Sequence, residues 1–355
     1  MQKPRRAVTA GAQPGPSARP RMADIARIAG VTISTVSRAL AGSSRTSDEM
    51  RERIVQIATA MNYSVNVAAQ NLQSGQNNTI AVVVPIERAT REPISEPFLL
   101  ALLGGIGDAL SDRGYDMLIS RINIDQPERT AQLYDSGRAA GVVMIGQSGF
   151  HDQLNRMTAR GVPLVVWGTP LPQQQYATVG SDNALGGELV TGHLLDQGAR
   201  RVAFFGDTAL TEGRPRHDGY LKAHVSRGLM LDPALTRPIP LTPDAIQKEL
   251  ADMLANGIRF DAAFAGSDMA AITLISSLLS HGLKVPEDVM VAGYDNIAAA
   301  AYTHPPLTTV HQPMTEAGQC LVAAVMRQIE GERAESVMLP TTLVPRTSSA
   351  RVRPS

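Results

Sequence analysis

Residues 22–40 carry two short apolar patterns separated by a glycine. In 22–29, Ile25, Ile28 and Ala29 recur at helical spacing, which predicts a helix with one buried face. Gly30 ends it, because a sharp turn needs a backbone that can take a positive φ. Thr32 then stands at the N-cap of a second helix, 33–40. Val36, Ala39 and Leu40 can pack back on the first helix, which leaves Ile33, Ser34, Thr35, Ser37 and Arg38 facing outward. After a loop at 41–46, Ser47 caps a third helix with the stripe Ile54, Ile57, Ala58 and Met61. Asp48 and Glu49 sit in its first turn, where negative charge suits the helix dipole.

From Thr79 the texture changes. Apolar runs at 79–85, 116–120, 141–145, 164–167, 201–205, 262–265 and 289–292 alternate with helical patterns at 99–114, 128–138, 151–160, 184–197, 217–227, 242–256, 269–281 and 316–330. Such alternation predicts an α/β body of parallel sheets with helices on both faces. The units are too many for one tidy sheet. Two doubly wound sheets fit, with a break near 176–180 and a return crossing near 307–313. The expected organisation is a disordered basic tail (1–20), an all-α helix-turn-helix headpiece (21–64), a hinge or linker (65–78) and a two-lobed body (79–355). One lobe takes about 79–180 and 309–340, the other about 181–308.

Charge sharpens this division. Residues 1–75 hold ten Lys or Arg and four Asp or Glu, so 10 − 4 = +6; the formal net charge of the chain is zero, and the remainder carries −6. A basic end on an acidic body suggests a nucleic-acid module joined to something else. The outward face of the second helix is short, with small hydroxyls and one guanidinium. It has the size to enter a DNA major groove, where Arg can make two bonds to guanine and Ser or Thr can reach bases or phosphates. Cys320 is the single cysteine, so no internal disulfide forms, which fits a reducing, cytoplasmic setting. No apolar run is long enough to span a membrane, and no apolar stretch follows the basic N-terminus as in a secretion signal.

In open parallel sheets, ligands bind beyond the carboxyl ends of the strands. Those ends here carry Gln147-Ser148, Trp167-Gly168, Asp207-Thr208, Ser267-Asp268 and Asp295-Asn296. Such side chains suit a polar ligand closed between two lobes, with carboxylates and amides for hydroxyl groups and Trp167 as a face for a sugar ring. The histidines show no metal-ligand spacing, no glycine loop is followed by Lys-Ser/Thr, and no GxSxG elbow occurs. No enzyme activity, metal or cofactor is therefore expected.

Residues 24–40, DIARIAGVTISTVSRAL, resemble the DNA-binding headpiece of the lactose/galactose repressor family. So do Ala69-Gln70-Asn71-Leu72, Ser181-Asp182-Asn183 with Gly186-Gly187, Val285-Pro286-Glu287-Asp288-Val289, Gly293-Tyr294-Asp295-Asn296, and Pro306-Leu307-Thr308-Thr309-Val310 with Gln312-Pro313. The resemblance runs from residue 22 to about 347 and extends to the periplasmic sugar-binding proteins that share the body's fold. It implies a regulator that binds pseudo-palindromic operator DNA as a homodimer under control of a small effector, most simply a repressor answering to a sugar or oligosaccharide. Control by a purine or another metabolite acting as corepressor is the alternative within the family. A plain solute-binding protein would need neither headpiece nor basic end.

The resemblance also implies that 65–78 becomes a helix in the minor groove, with Leu72 as an apolar wedge and Asn66 and Ala69 as further DNA contacts. It places Arg216 and Asp295 on the effector-binding arginine and aspartate, Ser267 where many members have Asn, and Phe98 in a pocket-lining stretch. Gln147, Trp167 and Asp268 complete the expected effector set. Ile33, Ser34 and Arg38 are the expected base contacts, and Thr35 and Ser37 the expected phosphate contacts.

Overall fold

A computed structural model describes residues 20–40, 45–63, 77–86 and 93–350. The expected tail but for Pro20, the expected hinge but for Asn77 and Asn78, and with it Asn66, Ala69 and Leu72, lie outside the described residues. The chain divides into two compact units, residues 1–76 and 77–355.

The first unit is three helices: α1 (Met22–Ala29), α2 (Ile33–Leu40) and α3 (Asp48–Ala60). Gly30 takes φ 70° at the end of α1, and the Val31 amide donates back to the Ala26 carbonyl at 3.0 Å, the left-handed cap expected of glycine. Thr32 Oγ1 accepts the Thr35 amide at 3.2 Å and opens α2. Ser47 does the same for α3 through the Met50 amide at 3.4 Å. Ile25, Ala26, Ala29, Val36, Ala39, Ile54 and Ala58 form the buried core, with Leu40, Ile57 and Met61 packed against it. Ile28, expected among them, is instead 52% exposed. At about 100° per residue the buried arc runs from Ile25 through Ala29 to Ala26, and Ile28 lies on its far side.

The second unit holds two six-stranded sheets. Its elements in order are β1 (Thr79–Ile86), α4 (Pro97–Ser111), β2 (Asp116–Asn123), α5 (Glu128–Asp135), β3 (Gly141–Ile145), α6 (His151–Ala159), β4 (Leu164–Trp167), β5 (Ala177–Ser181), α7 (Asn183–Asp196), β6 (Val202–Gly206), α8 (Gly213–Val225), β7 (Thr236–Pro238), α9 (Pro243–Ala255), β8 (Ala262–Ala265), α10 (Asp268–Ser280), β9 (Met290–Asp295), β10 (Thr308–His311), α11 (Met314–Ile329), β11 (Val337–Leu339) and β12 (Thr342–Val344). The first sheet runs β11-β5-β4-β3-β1-β2 and the second β12-β10-β9-β8-β6-β7. All pairings are parallel except β10 with β12. The central strands are buried along their length, as both-face coverage by helices requires.

The chain crosses between lobes at three places. β5 leads into α7, β10 into α11, and β11 into β12. β10 belongs to the second sheet, pairing with β9 in register Thr308↔Ala292 through His311↔Asp295, and the chain crosses back after His311. α11 then packs its Leu321, Val322 and Val325 in the first lobe's core. The third crossing places β12 back on the second sheet, with the Asp182 amide bonded to the Leu339 carbonyl at 3.0 Å. Close helix contact is set by glycine. A Cβ at Gly318 of α11 would fall 2.2 Å from the backbone of Gly105 in α4.

Candidate functional site

Two sets of residues stand out, one in each unit. On α2, Ile33, Ser34 and Arg38 are exposed while Thr35 and Ser37 are half-buried at the flanks. Arg38 Nε donates to the Ser34 carbonyl at 3.1 Å, which lays the guanidinium along the helix surface beside Ser34. The hydroxyls cluster at the helix start, where Thr32 Oγ1 lies 2.8 Å from Ser34 Oγ and 2.9 Å from Thr35 Oγ1. All five expected contact residues therefore share one short helix that opposes the core.

In the second unit five of the expected residues fall where strand order reverses, and Trp167 and Asp295 end the neighbouring strands β4 and β9. The first sheet reverses between β1 and β3, whose following segments bear Phe98 and Gln147. The second reverses between β6 and β8, whose following segments bear Arg216, Ser267 and Asp268. A crevice opens at such points in parallel sheets. Phe98 packs against the cores of both lobes and lies 6.2 Å, ring centre to ring centre, from Trp167. Trp167 itself is 5% exposed at the end of β4.

Arg216 sits in the first turns of α8. Gly187 and Gly219 bring α7 and α8 together: a Cβ on Gly187 would stand 2.1 Å from the Arg216 carbonyl oxygen. The Arg216 side chain donates from Nε to Asn183 Oδ1 at 2.8 Å and from Nη1 to the Gly266 carbonyl at 2.6 Å. Its guanidinium lies 3.9 Å over the Tyr294 ring. Asp295 ends β9 at φ 116°, a backbone conformation that strains a residue with a Cβ. Gln312 Nε2 donates to its Oδ1 at 2.7 Å. Burial pushes the Asp295 carboxyl well above the usual carboxylate range; the Arg216 charge opposes this, and Asp268 and Glu96 reinforce it. Groups from both lobes thus act on the Asp295 carboxyl.

The remaining expected residues are already engaged by the chain. Asp268 is fully buried; one oxygen accepts the Ile297 amide at 2.8 Å and the other the Thr309 hydroxyl. It braces α10 against β10 and the turn after β9, and burial pushes its carboxyl up to about 7. Ser267 caps α10 through the Ala270 amide at 3.2 Å. Gln147 Nε2 donates to the Thr169 carbonyl, while its Oε1 is buried without a partner. Asn183 and Gln312, which hold Arg216 and Asp295, were visible in the sequence only as parts of larger motifs. Arg346, bonded to Asn296 Oδ1 at 2.8 Å and the Leu307 carbonyl at 2.6 Å, gave no sequence signal, because its partners are distant in the chain.

A profile described as bacterial regulatory proteins, lacI family, matches residues 21–66, and one described as a periplasmic binding protein-like domain matches residues 191–349. The HTH-type transcriptional regulator CelR of Thermobifida fusca is 32% identical over 326 residues, spanning 90% of this chain and 95% of its own. A solved transcriptional regulator CelR–cellobiose complex superposes with a TM-score of 0.69 at 29% identity, over 93% of this chain and all of that one. The lac repressor dimer bound to operator and the anti-inducer ONPF shares the fold, with a TM-score of 0.81 at 22% identity over 94% of this chain and 99% of that one. No described helix is long and apolar enough to cross a membrane.

Proposed function

The chain belongs to the lacI family of bacterial regulatory proteins, and from that premise we propose that it is a transcriptional repressor whose hold on operator DNA is set by a small sugar. Ile33, Ser34 and Arg38 read bases in the major groove, with Thr35 and Ser37 on phosphates. A two-fold homodimer reads the two halves of a pseudo-palindrome. Asn66, Ala69 and Leu72 add minor-groove contact, where an apolar wedge costs a few kcal/mol of unstacking, offset by wider contact on bent DNA. Arg216 and Asp295 bond effector hydroxyls, Phe98 and Trp167 supply an apolar face, and Asp268, Ser267 and Gln147 hold the walls from behind.

The observation that supports this reading best is the way Arg216 and Asp295 are held, with the Arg216 charge acting on the Asp295 carboxyl. Both are held by amide side chains, Arg216 at the start of α8 and Asp295 at the end of β9, and Asp295 is under backbone strain. Neither stabilises a core as well as an apolar residue would. A polar ligand accounts for both. A carbohydrate is favoured because the CelR–cellobiose complex resembles this chain over nearly its whole length.

The test is a gel shift of the full chain on DNA upstream of its own gene, with a carbohydrate panel and a purine panel. A discrete shift altered by one carbohydrate is expected. A response to purines alone would move the effector to the other class, and indifference to every duplex at moderate ionic strength would remove the repressor reading. Arg216→Ala should leave operator affinity intact and lose the effector response. An unaltered response would take Arg216 out of the pocket.

A further inference from the structure

The outward face of α2 is polar except at one position. Ile33 is 52% exposed and takes no part in the three-helix core. Its neighbours on that face are Ser34, Ser37 and Arg38. An isoleucine half-exposed at the first turn of a helix and outside the core adds little to the free protein, and a serine or glutamine would be better solvated there.

Base edges in the major groove present ring nitrogens, carbonyl oxygens and amino groups, all hydrated, and one apolar group, the 5-methyl of thymine. An isoleucine pressed against the polar groups would strip their water without replacing its hydrogen bonds, which is costly. Against a methyl it gains, because both surfaces leave water together. The polar neighbours leave this task to Ile33. The Ser34 and Thr35 hydroxyls already share Thr32 Oγ1, and Arg38 is braced on the Ser34 carbonyl, aimed along the helix rather than across it.

Resting on the operator-binding reading above, we propose that Ile33 reads the 5-methyl group of a thymine in each operator half-site. Burying the one thymine methyl corresponds to about a threefold to fivefold change in affinity per half-site, and about ninefold to twenty-five-fold for a symmetric pair.

Thymine and uracil differ by this methyl alone, which supplies the probe. The full chain first selects its operator from a random duplex pool. Each thymine of the selected site is then replaced by uracil, symmetrically in both halves, and affinities are measured. One thymine per half-site should show the loss, and Ile33→Ala should bind the thymine and uracil forms of that position equally. Ile33 lies outside the core, so the variant keeps its fold, and residual binding of the operator reports this directly. Ile28→Ala, which removes an equally exposed isoleucine from α1, should keep the wild-type discrimination. Three results would overturn the assignment: indifference to uracil at every position, an Ile33→Ala protein that still discriminates, or discrimination that disappears with Ile28. A failure to select any sequence would overturn the operator reading itself, and this assignment with it.

Discussion

Arg38 and Asp268 show how differently a charge behaves on a surface and in a core. Arg38 is exposed on α2 and donates from Nε to the Ser34 carbonyl. Arg38→Ala should cost about 1–3 kcal/mol on the selected operator and relax base choice at one position, as competition against mismatched duplexes would reveal. An equal loss on random DNA would make Arg38 a phosphate contact. Asp268 is buried, with its carboxyl pushed up to about 7 by loss of hydration. A carboxyl raised on folding favours the folded state while protonated. Its contribution is complete below the unfolded value near 4 and is lost as pH rises through about 7. Asp268→Asn removes that titration. Wild type should therefore lose stability relative to the variant by up to about 1.4 kcal/mol per pH unit between roughly pH 4 and 7. Burial holds His193, His217 and His224 below their ordinary range, but they titrate in both proteins and cancel in the difference; Asp295, whose upward shift Asp268 reinforces, changes with the substitution, so the difference reports the two carboxyls together. Parallel denaturation curves would show that Asp268 stays ionised in the fold. Exposed polar residues on α2 were legible in the sequence because solvent exposure follows helical period. The brace of Asp268 was not, since its partners Ile297 and Thr309 lie 29 and 41 residues away.

Among the elements, helices were readable where the 3.6 period runs long. α4, α7, α9, α10 and α11 all fall within a few residues of their apolar patterns. The short strands were not. β7, β11 and β12 have three residues each, too few to show a period, and β10, though as long as the legible β4 and β8, carries Thr308 and Thr309 in place of an apolar run; the identity of these four comes from the neighbour that bonds them. β5 read as a break because Ala177-Thr178-Val179-Gly180-Ser181 mixes small and polar residues. The fold needs those small residues: a Cβ at Gly180 would lie 2.2 Å from the Gly168 carbonyl oxygen. The same logic sets α7 against α8, where Gly187 faces the Arg216 carbonyl at 2.1 Å and Gly219 faces the Ala184 carbonyl at 2.1 Å, both measured from the missing Cβ. Backbone cannot step aside as a side chain can. Gly187→Ala should force the two helices apart, destabilise the body by about 1–3 kcal/mol and displace Arg216. Reduced effector affinity with unchanged operator affinity, measured below the melting range, would separate this displacement from general unfolding. A variant with wild-type stability and response would mean that the helices can slide freely.

For the molecule as a whole, the proposed control is a coupling between two ligands that touch different parts of the chain. The lobes of the body are joined by three chain crossings and share Phe98, which packs against both cores. Arg216, Asp268 and Asp295 come from the second lobe and Glu96 from the first, so a ligand bonded among them would favour one lobe arrangement over another. Only differential affinity can shift such an equilibrium. If a sugar weakens operator binding by some factor, operator DNA must weaken sugar binding by that same factor, since both are legs of one thermodynamic cycle. Titrating the full chain with its sugar, free and saturated with operator duplex, should return the factor found by titrating operator with and without sugar, and couplings of this kind commonly run to about 5–150-fold. Equal sugar affinity in both titrations would mean that the two ligands are not coupled at equilibrium, and a sugar-dependent gel shift would then report the rate at which the complex forms or falls apart rather than its affinity.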